Sequence, residues 1–174
     1  MTDESTADSS QGRIQLERIY LKDVSFESPQ APTIFTDPDN WQPKMNLHLE
    51  TEAKGVDDER YEVALTVTVT ATDTETTVFL VELKQAGLFR ISGFDDKTRN
   101  HVLGTACPNM LFPFARENLD HLVQKGGMPQ LLLQPINFEA LQAQQAARQA
   151  NPSTGTGDGA AAETSPGNGA ADDR

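Results

Sequence analysis

The chain has 174 residues, of which 14 are Lys or Arg and 26 are Asp or Glu, for a formal net charge of −12. That length fits one domain, and the acidic balance disfavours nucleic acid and anionic lipid, whose phosphates would repel it. The longest uncharged apolar runs, such as Leu131 to Leu133, fall far short of the roughly 20 residues that cross a bilayer, so no membrane insertion is expected.

The N-terminus, Met1 to Gly12, carries Asp3, Glu4 and Asp8 and no apolar centre, unlike a secretory signal. Residues 1–12 are expected to be disordered. The lone cysteine, Cys107, cannot form an internal disulfide, which fits a reducing, cytoplasmic location. At the other end, residues 151–174 contain no Val, Ile, Leu, Met, Phe, Trp or Tyr and cannot offset the entropy of ordering, so this tail is also expected to be disordered. The tail holds four acids and one base, which leaves most of the negative charge on a folded body spanning 13–150.

Within the body, apolar residues from Ile14 alternate as a strand. A regular period of two places Ile14, Leu16, Tyr20, Val24 and Phe26 on one face and Ile19 and Leu21 on the other. Pro29 and Pro32 end it, and Phe35 to Pro43 reads as a loop that carries the only tryptophan, Trp41. Met45, Leu47 and Leu49 mark a second strand, followed by a charged turn over Lys54 to Arg60. Tyr61, Val63, Leu65, Val67 and Val69 then share one face of a third, and Thr77 to Leu88 forms a fourth. Short connections predict an antiparallel meander. After Gly93 the period becomes helical. Pro108 suits a first turn, Pro113 predicts a bend or a late start, and Leu111, Ala115, Leu119, Leu122 and Val123 recur at three and four up to the stop at Gly126-Gly127. Asn137 is placed to cap a last helix from Phe138 to about Ala150. All strands precede all helices, so the fold class is α+β, a four-stranded antiparallel sheet with helices packed on one face.

No catalytic constellation emerges from this order. His48, His101 and His121 lack ligand spacing, no phosphate-cradling loop or nucleophile elbow occurs, and Cys107 reads better as a small buried hydrophobe than as a nucleophile. The expectation is a protein that is no enzyme and needs no cofactor or metal. Apolar residues on both faces of strands one and four instead predict surplus apolar surface to be covered by further copies of the chain.

Five blocks carry a specific resemblance: IYLKDVSFESPQAP (Ile19 to Pro32), Trp41-Gln42-Pro43, YEVALTVTVTA (Tyr61 to Ala71), CPNMLFPFARE (Cys107 to Glu117) and PQLLLQPINFEAL (Pro129 to Leu141). In that order they resemble SecB, the bacterial protein-export chaperone family. The resemblance implies a cytoplasmic homotetramer, a dimer of dimers, that holds unfolded precursor proteins without ATP and delivers them to the translocation ATPase SecA. It implies SecA contact through Asp23, Glu27, Leu80 and Glu82, a client groove around Phe35 and Trp41, and a subunit interface including Val81, Leu83, Gln85 and Cys107. The alternative function is a SecB-like chaperone dedicated to one unstable client, such as an antitoxin.

Overall fold

A computed structural model describes residues 12–36 and 43–150. Its elements in chain order are β1 (Arg13–Glu27), β2 (Lys44–Gly55), β3 (Arg60–Asp73), β4 (Thr76–Ser92), α1 (Asp96–Gly104), α2 (Ala106–Lys125) and α3 (Phe138–Ala150), with a single 3-10 turn at Thr33–Phe35. The four strands form one antiparallel sheet in the order β1-β4-β3-β2. This corrects the expected meander. Only β2, β3 and β4 are joined by tight turns; β1 crosses over to lie beside β4. The chemistry of the strands explains the order, because β4 and β3 bury Val81, Leu83, Phe89, Val63, Leu65 and Val67 and need neighbours on both sides. By contrast, β2 (KMNLHLETEAKG) carries Lys44, Glu50, Glu52 and Lys54 and tolerates an edge.

The facing of β1 also differs from a simple period of two. Its register against β4 slips between Leu16 and Arg18 and again between Leu21 and Asp23, so Glu17 and Lys22 are extra residues in two β-bulges. Each bulge reverses the alternation. As a result Ile14, Leu16, Ile19, Leu21, Val24 and Phe26 all pair with the helix-facing residues of β4, and Tyr20 alone of the apolar set is turned outward. The expected division of β1 into two apolar faces is therefore wrong. A third irregularity falls in β4, between Thr77 and Phe79, where Val78 is the extra residue and is itself buried.

The core lies between the inner sheet face and α2, whose buried side chains Cys107, Leu111, Ala115, Leu119 and Val123 recur at spacings of four. α2 starts at Ala106, ahead of Pro108, and continues through Pro113. The late start predicted from Pro113 does not occur. Burial of this stripe outweighs the cost of an interior proline, about 3 kcal/mol for the lost hydrogen bond and the ring clash together. At the other end, Gly127 takes a left-handed φ of 79°, and the ring of Phe26 lies where a side chain on Gly126 would sit. Phe26 also stacks on Phe79, with ring centroids 6.0 Å apart.

One helix escaped the sequence pattern. α1 occupies a stretch that begins Asp-Asp-Lys-Thr-Arg-Asn and buries only Val102 and Leu103, too few to show a period. Its start is fixed by Asp95, whose carboxylate accepts from the Thr98 amide at 2.7 Å and is thereby held below the usual carboxylate range. The last helix begins as predicted: Asn137 Oδ1 accepts from the Ala140 amide at 3.0 Å, and Phe138 packs edge-on against Phe112. The expected disordered segments, apart from Gly12, and Trp41 lie outside the described residues.

Candidate partner-binding surfaces

The helices leave the other sheet face open, and cross-strand register places its side chains in rows running from β1 through β4 and β3 to β2. At one end, Glu17 bridges Arg60 at 2.9 Å and Arg90 at 3.0 Å, with Asp57 and Glu59 completing the network. Arg60 above all holds the Glu17 carboxyl below its ordinary pKa. Next to it, Lys22 Nζ lies 2.6 Å from Glu62, which also accepts from the Tyr20 hydroxyl. The Tyr20 ring pairs across Ala86, itself opposite Ala64, and both alanines are buried. Desolvation, reinforced by Glu62, pushes Tyr20 up to about 12.

The opposite end has a different character. Its rows read Asp23-Lys84-Thr66-Glu50, Ser25-Glu82-Thr68-His48 and Glu27-Leu80-Thr70-Asn46. Asp23, Glu27, Leu80 and Glu82, expected to contact SecA, thus share the outer face within three successive rows. Thr68 Oγ1 donates to Glu82 at 2.8 Å, and Lys84 lies 3.6 Å from Glu52. Among the described residues, Asp23, Glu27, Glu50 and Glu82 form no ion pair, so this end presents net negative charge.

A second surface runs over α2 on the side away from the sheet. Phe35 is 46 % exposed and touches the turn at Gly127. Beyond that turn, residues 129–137 pass along α2, tied down where Asp120 accepts from the Leu131 amide at 2.9 Å. Along it lie depressions of about 470 Å³, bounded by Pro113, Arg116, Glu117 and Leu131 to Leu133, and about 540 Å³, bounded by Thr105, Asn109 and Pro135 to Glu139. Leu132 is 72 % exposed, a large apolar side chain held in an irregular segment. The sequence signal for it was the run of three leucines between Pro129 and Pro135, which the assignment of groove residues to Phe35 and Trp41 passed over.

The expected interface residues lie inside the protomer. Val81, Leu83 and Cys107 are fully buried and Gln85 is 2 % exposed, all packed between the sheet and the chain's own α2. Burial pushes the Cys107 thiol up to about 12. Within the single protomer these four side chains serve the core. Apolar groups that remain exposed elsewhere include Leu21 and Val24 on β1, Met45 and Leu47 on β2, and Met110 and Phe114, one turn apart on α2.

The sequence profile described as "Preprotein translocase subunit SecB" matches residues 7–149, which takes in every element described above but for the last residue of α3. The chain belongs to the SecB family. Its relatives include the protein-export protein SecB of Pseudomonas paraeruginosa, 49 % identical over 85 % of this chain and 92 % of the relative. That of Alcanivorax borkumensis is 48 % identical over 80 % and 89 %. Among solved structures, a SecB-like chaperone of Mycobacterium tuberculosis, in complex with an antitoxin peptide, shares the fold with a TM-score of 0.60. It is 19 % identical and covers 71 % of this chain and 91 % of its own. Among the described residues no helix is long and apolar enough to cross a membrane, and no group of three or more His, Cys, Asp or Glu is arranged to hold a metal.

Proposed function

We propose that this chain is an ATP-independent SecB-type chaperone that holds unfolded precursor proteins in the cytoplasm and hands them to SecA. The observation that carries the proposal is the family match across the whole fold, at close to half identity with protein-export relatives. The surfaces suit the task. An extended client with exposed apolar side chains needs non-directional burial, worth about 25 cal/mol per Å² of apolar surface, and Phe35, Leu132 and the depressions beside 129–137 offer it outside the core. The acidic end of the outer face suits a basic partner, and SecA docking there through Asp23, Glu27, Leu80 and Glu82 follows the family pattern.

Assembly as a homotetramer, a dimer of dimers, is part of the same proposal. Exposed Leu21, Val24, Met110 and Phe114 are groups that such assembly would cover, and several clefts in one particle would add avidity towards a long client. The test combines light scattering with capture of a denatured precursor, with and without SecA. A tetramer that delays precursor folding and releases the client to SecA is the expected result; a monomer that leaves precursor folding unchanged overturns it. Service to a single dedicated client is the competing function. The export relatives favour the first, and competition between several unrelated unfolded precursors for the same sites separates the two.

A further inference from the structure

Among the described residues of the sheet, Gln85 is the polar side chain that is fully buried. It lies in the core with Leu21 and Leu65 as its partners across the strands and Leu83 two residues before it on the same face of β4. Both ends of its amide are used. Nε2 donates to the Tyr20 carbonyl at 2.8 Å, and Oε1 accepts from Asn118 Nδ2 at 2.8 Å. Because a carbonyl can only accept, the Tyr20 bond fixes the orientation of the amide, and the amide in turn fixes that of Asn118. Tyr20 immediately precedes the second bulge, where the extra residue Lys22 is held from the outer side by Glu62.

We propose that Gln85 is a positioning residue: with Asn118 behind it and the Lys22–Glu62 pair in front, it holds the second bulge of β1 and so turns Asp23 and Glu27 towards the partner. A bulge disturbs the ladder of hydrogen bonds and leaves a strand free to slip unless something specifies it. Burying a primary amide between leucines is costly without partners, and here one donor is spent on the carbonyl beside the bulge and the acceptor oxygen on α2. A leucine or methionine at 85 would pack as well but could not tell one register from the next. This inference rests on the acidic face being the SecA-docking face.

The experiment measures backbone hydrogen exchange and SecA affinity together in the full-length protein. Gln85→Met is expected to keep its circular dichroism while amides of residues 22–27 exchange about fivefold to tenfold faster, as loss of one buried hydrogen bond implies, and SecA affinity drops by a similar factor. Lys22→Met, which leaves the core untouched, is expected to shift both in the same direction by less and decides the matter if Gln85→Met does not fold. Unchanged exchange at 22–27 overturns the positioning role. Faster exchange with unaltered SecA affinity also overturns it, provided Asp23→Asn with Glu27→Gln weakens binding. If that double variant binds SecA normally, the docking face is wrong, and exchange at 22–27 still decides whether Gln85 holds the bulge.

Discussion

The two ends of the outer sheet face are built from the same residue types and are put to opposite use. At the Glu17 end, acids and bases are interleaved across three strands, and each carboxylate has a cation within reach. At the Glu82 end, Asp23, Glu50 and Glu82 lie in the rows around Lys84, with Glu27 one row beyond Glu82. Charges that satisfy one another hold a sheet in register, whereas charges left open act on something else. The contrast assigns a structural task to one end and a recognition task to the other, on a surface that composition alone would describe as uniformly acidic.

The contrast can be broken from beneath. Leu83 lies directly under the open end, fully buried, and Leu83→Asp would put a carboxylate into the core at a cost of several kcal/mol. The expected outcome is loss of the protomer fold in denaturant titrations, and a folded dimer from this variant would instead place Leu83 at the subunit interface. A smaller effect is expected at the surface. Replacing Asp23, Glu27 and Glu82 together by their amides should weaken SecA binding about tenfold or more and flatten its salt dependence, with unchanged thermal stability. The reverse is expected of Glu17→Gln, which leaves Arg60 and Arg90 facing each other: a lower denaturation midpoint and unaltered SecA affinity in the same assays.

The smallest effects are those of pH, and they act on the paired end. Glu17 and Glu62 titrate below their ordinary values in the folded chain, so their contribution is complete above the unfolded carboxylate range and is lost as pH falls through their lowered folded values. Tyr20 has the opposite sign. Its folded value of about 12 exceeds the ordinary 10, so its contribution is complete below pH 10 and disappears as pH rises towards 12. Stability curves of Glu62→Gln should lose part of the acid limb and part of the alkaline one, since this carboxylate serves both Lys22 and Tyr20.

How much of this was legible in the sequence depended on whether a signal was local. The alternation in β3 and the spacing of Leu111, Ala115 and Leu119 depend on near neighbours, and both elements formed as predicted. Sheet order was not legible, because nothing within β1 states that it will pair with β4 rather than β2. The bulges were hidden for a related reason: Glu17 and Lys22 are held by Arg60, Arg90 and Glu62, more than 35 residues away. Reading β1 with an unbroken period misplaced Ile19, Tyr20 and Leu21 but gave the right facing for Asp23, Val24, Phe26 and Glu27. For Val81, Leu83 and Gln85, opposite parity to Glu82 established that they face inward, the side on which α2 packs.

The two reversals in β1 cancel, and this constrains the genetics of the strand. Deleting one residue between Glu17 and Lys22 would turn the last stretch inside out, sending Asp23 and Glu27 under the helix and Phe26 into water. Deleting two would restore every orientation at the cost of a shorter ribbon. Insertions and deletions here are therefore tolerated in pairs or not at all, and natural variants of this segment should differ in length by even numbers.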